Sequence, residues 1–135
     1  MKINLKKHKL FKNLKTNLQD KRGSILSLVN TKSQNISLII SEKNTIRANH
    51  YHKTDWHFIY VLDGSFNYYY KSIDSKKKNK VHIKKGDLLF TPPKLIHATF
   101  HTTKTSMIVI SKNLRDQKNY EKDLVRVKFI NHQNK

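Results

Sequence analysis

Eight histidines and no cysteine occur in the 135-residue chain. Disulfides, thiolate metal sites and cysteine nucleophiles are therefore excluded, and a bound metal must be held by imidazole or carboxylate. Five of the histidines fall in two tight groups: His50, His52 and His57 in one, His97 and His101 in the other. Alternate residues of a strand share a face, so His50 and His52 project together with Cα atoms about 7 Å apart. His57 is five residues beyond His52, an odd separation that would put it on the opposite face of an unbroken strand. The intervening Lys53-Thr54-Asp55 is polar and able to turn the chain. His57 then opens the next strand and faces back toward the pair. His97 follows Thr91-Pro92-Pro93-Lys94-Leu95-Ile96, whose prolines cannot continue a central ladder. It opens a further strand with Thr99 and His101 on its own face. Imidazoles from three strands thus converge. Neutral imidazole binds Zn, Fe, Ni and Cu, and it is also the side chain that moves protons near neutral pH. Both chemistries are open to this cluster.

The elements that must position these side chains are short strands. Residues 2–19 are Lys-rich, with Leu10, Phe11, Leu14 and Leu18 near helical spacing, and suit either a short helix or an extended arm. After Asp20-Lys21-Arg22-Gly23 the pattern predicts strands at about Ser24–Val29, Asn35–Ser41, Thr45–His52, Trp56–Leu62, Ser65–Ser72, Lys80–Lys84, Asp87–Thr91, His97–Thr103, Thr105–Ser111 and Val125–Ile130. Asp63-Gly64, Lys85-Gly86-Asp87 and Pro92-Pro93 separate them. Short strands without a long helix imply an all-β antiparallel sandwich or barrel. From His57 the alternation places His57, Ile59 and Val61 on one face, with Phe58, Tyr60 and Leu62 on the other. Both faces are apolar, as in a barrel wall covered outside by a partner sheet or subunit. Tyr68 or Tyr70 could face inward, and ordinary strand packing accounts for either. One domain over residues 1–135 is expected: a basic arm at 1–19, a barrel core at 24–112 and a C-terminal segment at 113–135.

Lys and Arg number 28 against 9 Asp and Glu, a formal net charge of +19. Such a balance suggests nucleic acid, but only Arg22, Arg47, Arg115 and Arg126 are arginines, and arginine is the usual bidentate phosphate contact. The lysines spread along the whole chain, apart from Lys76-Lys77-Lys78 in a polar stretch that reads as a solvated hairpin loop. No specific nucleic-acid partner is expected; a basic field also favours an anionic small substrate. No stretch approaches the roughly 20 apolar residues of a membrane span, and the basic N-terminus lacks an apolar signal segment. A cytoplasmic location is the expectation.

The histidine spacing resembles the two motifs of the cupin family. His50-x-His52, four residues, His57, six residues, Gly64 matches the first; Gly86, five residues, Pro92, four residues, His97 matches the second. The resemblance covers residues 50–97 and implies a double-stranded β-helix, the jelly-roll barrel, commonly paired as a homodimer. It also implies a divalent metal, Zn, Fe, Ni or Mn, on His50, His52, His57 and His97. Two departures stand out. The family usually has Glu where His57 stands and Gly where Lys94 stands, so this ligand set has no carboxylate and a bound ion would keep its full charge. Such an ion would suit Lewis-acid work or an anionic oxygen.

The flanks Asp20-Lys21-Arg22-Gly23-Ser24-Ile25, Gln34-Asn35-Ile36-Ser37 and Ile46-Arg47-Ala48-Asn49-His50 resemble dTDP-4-dehydrorhamnose 3,5-epimerases. Arg47-Ala48-Asn49-His50-Tyr51-His52-Lys53 resembles the Arg-Gly-x-His-x-His-Lys of dTDP-sugar ketoisomerases, with Ala48 in place of Gly. This likeness covers about residues 20–72. It implies proton abstraction beside a sugar ketone, with His50, His52 and Arg47 catalytic if no metal is bound, since one imidazole cannot both ligate and act as a free base. Arg47, Lys94 and His101 are the candidate contacts to an anionic substrate. The expectation is therefore an isomerase- or epimerase-like, metal-binding enzyme of anionic sugars or nucleotide-sugars in bacterial polysaccharide synthesis. An all-His dioxygenase and a non-catalytic cupin that binds a small ligand or metal are the alternatives.

Overall fold

The computed structural model describes residues 4–12, 14 and 16–135. In chain order its strands are β1 (Lys9–Phe11), β2 (Leu18–Asp20), β3 (Gly23–Ile25), β4 (Asn35–Ser41), β5 (Ile46–His52), β6 (His57–Asp63), β7 (Ser65–Ser72), β8 (Asn79–Lys84), β9 (Leu88–Thr91), β10 (Leu95–His101), β11 (Thr105–Ser111) and β12 (Leu124–Arg126), with one helix, α1 (Gln117–Asp123), before β12. Two five-stranded antiparallel sheets, ordered β1-β9-β6-β11-β4 and β12-β5-β10-β7-β8, form a double-stranded β-helix, and β2 and β3 make a separate hairpin. Period-two alternation decides which side chains go inside. Ile59, Val61, Phe66, Tyr68, Ile83, Leu89, Met107 and Val109 fill the barrel and are almost fully buried.

The outer faces of both sheets are covered in large part by the chain's own ends. Phe11, Leu14 and Val29 pack on Trp56, Phe58, Leu88, Phe90 and Ile110 outside the first sheet. The C-terminal tail lays Val127, Phe129 and Ile130 on Tyr69, Ile96 and Ala98 outside the second. The cover expected from a partner sheet or subunit thus comes from within the chain. The expected Ser24–Val29 strand shortens to β3, while Val29 joins the outer apolar layer instead. Of Val125–Ile130 only the first residues pair, as β12 on β5. The arm pairs on the barrel in extended form as β1 against β9; the expected arm's Met1, Lys2, Ile3, Asn13 and Lys15 lie outside the described residues. On the edge strand β4 the outward residues Ile36, Leu38 and Ile40 remain more than half exposed.

Two local features aim the strands at the site. Gly64 joins β6 to β7 at φ 84°, and a Cβ there would overlap the Lys104 carbonyl oxygen, so only glycine closes this turn. In β5 the pairing with β10 shifts between His50↔His97 and Ala48↔Ala98, a bulge that leaves Asn49 over. Ala48 and Asn49 both take positive φ, 71° and 57°. The extra residue changes the parity of the strand, so Arg47 lines the same cavity as His50 although they are three apart. Among the described residues no helix is long and apolar enough to cross a membrane.

Candidate active site

One mouth of the barrel holds a cavity of about 140 Å³, lined by Arg47, Ala48, His50, His52, His57, His97, Thr99, Arg115 and Tyr120 above an apolar floor of Ile39, Ile59, Met107 and Val109. Strand parity brings the histidines together in space. β5 brings His50 and His52, the turn at 53–56 returns the chain so that His57 opens β6, and β10 brings His97 from the neighbouring ladder. Ring centroids are 4.8 Å apart for His50–His52, 4.9 Å for His50–His97 and 5.2 Å for His57–His97. All four rings are buried.

Hydrogen bonds assign the protons. The Leu95 carbonyl can only accept, so His97 Nδ1, 2.8 Å from it, carries the hydrogen and leaves Nε2 with a free lone pair. Arg115 can only donate, so His57 Nδ1, 3.4 Å from its Nη2, is the acceptor and the His57 proton sits on Nε2. His52 is 2% exposed, and among the described residues neither of its nitrogens has a hydrogen-bond partner. Its Nδ1 lies 3.3 Å from Asp123 Oδ2, close enough for attraction but out of line for a formed bond. That carboxylate is already anchored: Oδ1 accepts from the Thr54 amide at 2.9 Å and hydroxyl at 2.7 Å, and Oδ2 from the Asp55 amide at 3.1 Å. A nearby carboxylate favours the hydrogen on Nδ1 and leaves the lone pair on Nε2.

Electrostatics keep the rings neutral. Burial is the main cause for each, pushing His50 and His52 down to about 2, His97 to about 4, and His57 well below its ordinary value. The Arg115 guanidinium adds to the effect on all four. Burial likewise raises Tyr120, whose ring lies 6.0 Å from His52 and beneath Arg115. At neutral pH the cavity therefore offers neutral imidazoles beside the largely buried Arg115 cation, with the exposed Arg47 at its rim.

The other expected site residues divide. Arg47 lines the cavity while staying largely exposed, its Nε on the Ser41 hydroxyl at 2.5 Å and its Nη2 on the Ile40 carbonyl at 3.1 Å. Lys94 is exposed and does not line the cavity; its backbone amide bonds the His52 carbonyl at 2.7 Å. His101 is fully buried against Phe66, its Nε2 3.0 Å from the Thr99 hydroxyl, and it does not line the cavity either. Tyr68 faces inward as core, with its hydroxyl 2.9 Å from that of Thr91.

Sequence reasoning missed Arg115, Asp55, Tyr120 and Asp123. Arg115 Nε donates to Asp55 Oδ2 at 3.1 Å, and Asp55 Oδ1 accepts the Asn113 amide at 2.9 Å. These partners are about sixty residues apart and belong to no spaced motif, so only the charge of a lone arginine after a strand hinted at them.

As to a metal, ring nitrogens of His50, His52 and His97 lie within 4.8 Å of one another, a spacing that three imidazoles could close on an ion. His57 does not join that group: its ring centroid is 5.7 Å from that of His52, and its Nδ1 faces Arg115. A second cluster, His52 with Asp55 and Asp123, has its carboxylate oxygens engaged by amides and by Arg115.

The family model described as "Cupin domain" matches residues 38–111. No curated protein sequence matches the chain. Among solved structures, QdtA, a sugar 3,4-ketoisomerase from Thermoanaerobacterium thermosaccharolyticum in complex with TDP, superposes with a TM-score of 0.71 at 19% identity, covering 90% of this chain and 88% of that one. A mutant of that enzyme has also been solved with TDP-4-keto-6-deoxyglucose. The TDP-quinovose 3,4-ketoisomerase WlaRB from Campylobacter jejuni gives 0.69 at 20%, covering 87% and 96%. The capsular polysaccharide assembling protein CapF from Staphylococcus aureus gives 0.64 at 20%, covering 86% of this chain but 33% of that one. At such identities the likeness establishes a common fold.

Proposed function

We propose that this chain, which belongs to the cupin family, isomerises the keto group of a nucleotide-linked sugar by proton transfer through its own imidazoles. The observation that carries the reading is His52: buried, neutral, with both nitrogens unpartnered, and backed by Asp123. A base of that kind removes a proton from the carbon beside a ketone, and the electron pair forms an enediolate. His50, next to it, moves the neighbouring hydroxyl proton between the two oxygens. The protonated His52 then returns its proton to the former carbonyl carbon, so the product has its ketone one carbon away and no oxidant is consumed. Arg47, exposed at the rim, is suited to a phosphate of the nucleotide. The structural neighbours solved with TDP or TDP-4-keto-6-deoxyglucose support this substrate class. The same proposal carries a cytoplasmic reaction in a path toward surface polysaccharide, which the likeness to the capsular polysaccharide assembling protein supports.

The spacing of His50, His52 and His97 favours one second reading, in which these three hold a divalent ion that polarises the substrate carbonyl. The test is turnover of TDP-4-keto-6-deoxyglucose, followed by proton NMR with and without a chelator. The isomerase reading expects a 3-keto product in both, and a drop of about 10²-fold or more for His52→Asn. Turnover that needs added metal would support the second reading instead.

A further inference from the structure

The proton-transfer scheme needs a positive group to hold the enediolate oxygen, and the residue that meets this need lies outside both cupin motifs. Arg115 follows β11 and bends back over the mouth of the barrel. Its side chain is 15% exposed, and three contacts fix it: Nε on Asp55, Nη2 on His57 Nδ1, and the guanidinium face 5.5 Å above Tyr120. Asp55 is 2% exposed and anchored in turn by the Asn113 amide. A guanidinium has five N–H donors, and these contacts leave donors free in the cavity, whose other cation, Arg47, is exposed at the rim and turned onto Ser41 and the Ile40 carbonyl. The unpartnered nitrogens of the buried His52 lie in the same cavity.

We infer that Arg115 is the resident cation of this site: it holds the anionic oxygen of the substrate and, by engaging His57, keeps the four imidazoles from closing on a divalent ion. The inference rests on the isomerase reading for the substrate oxygen, but not for the exclusion of metal. A guanidinium beside four imidazoles repels a second cation, and the His57 lone pair that would complete a tetrahedral set points to Arg115 instead. Asp55 is then a positioning residue. It aims Arg115 and touches nothing that reacts.

Co2+ titration reads the exclusion without any substrate, through the absorption of tetrahedral cobalt. Wild type is expected to bind Co2+ weakly, and Arg115→Met at least tenfold more tightly; Arg115→Lys, which keeps the charge, should stay near wild type. Equal affinities in wild type and a folded Arg115→Met would overturn the inference. Should Arg115→Met not fold, ring-nitrogen NMR of wild type decides: a His57 protonated on Nε2 with an accepting Nδ1 supports the inference, and the opposite tautomer defeats it. With TDP-4-keto-6-deoxyglucose, Arg115→Met is expected to lower kcat at least a hundredfold while KM changes far less, since the anionic oxygen develops only during reaction. A cobalt contrast as expected, in a wild type that does not turn this sugar over, would remove the isomerase reading and leave the resident cation standing.

Discussion

Ala48 and Lys94 occupy the left-handed region of backbone space, at φ 71° and 63°, where a Cβ costs roughly 1–2 kcal/mol. Both stand where the motifs carry glycine. The chain therefore keeps the family's backbone path without the residue that suits it, and both strained positions flank the histidines. Ala48 shapes the bulge before His50, and Lys94 ties its amide to the His52 carbonyl. Ala48→Gly and Lys94→Gly are each expected to raise stability by about 0.5–1 kcal/mol, after allowance for the greater freedom of glycine in the unfolded chain. Urea midpoints measure this, and a loss of stability in either variant would contradict the strain argument. At this scale the histidines were legible in the sequence because their spacing follows strand parity and one polar turn. Arg115 and Asp123 were not, because what makes them part of the site is a tertiary contact to Asp55 and to His52 across sixty residues or more.

Among the elements, the interior strands were legible and the peripheral ones were not. β4 to β11 alternate inward and outward residues with turn-formers between them, so the period-two pattern places them to within a few residues. The chain ends obey a different demand. Leu10, Phe11 and Leu14 are spaced as on a helix, yet β1 extends along β9, since pairing satisfies its backbone while Phe11 covers the aromatic layer of Trp56, Phe58 and Phe90. The tail alternates like a strand, yet Val127 to Ile130 leave the ladder to cover Tyr69 and Ile96, with the Asn49 side chain bonding both the amide and the carbonyl of Ile130 at 3.1 and 3.0 Å. The helix α1 is seven residues long, too short to show a period of its own. It nevertheless delivers Tyr120 and Asp123 to the site, with Asp123 fastening the turn between His52 and His57.

For the whole molecule, the +19 charge and the buried histidines act in different ranges. Part of the lysine excess has structural work: Lys78 and Lys80 both lie over the Tyr69 ring. The remaining field favours an anionic substrate at low salt. The imidazoles govern the response to acid. Each of the site rings, and His101, has a folded pKa below its unfolded value near 6.5, so the unfolded chain binds the extra protons. Their contribution is whole above about pH 6.5 and is lost as the pH falls toward about 4, where His97 and His101 titrate. Each adds a slope of about 1.4 kcal/mol per pH unit in that window. The urea midpoint should thus be level just above neutrality and fall steeply between about pH 6.5 and 4; a flat profile there would mean that the rings are not buried as described. The central claim, proton transfer by neutral imidazoles without a metal, is tested most directly by incubating metal-stripped protein with TDP-4-keto-6-deoxyglucose in D2O and following the hydrogens on C3 and C4 by NMR. The account predicts loss of the C3 hydrogen and a 3-keto product whose new C4 hydrogen is the one taken from C3, or deuterium where His52 exchanges with solvent before returning it, at a rate that chelator leaves unchanged. A C3 hydrogen that persists, or that is lost only when a divalent metal is restored, would contradict it.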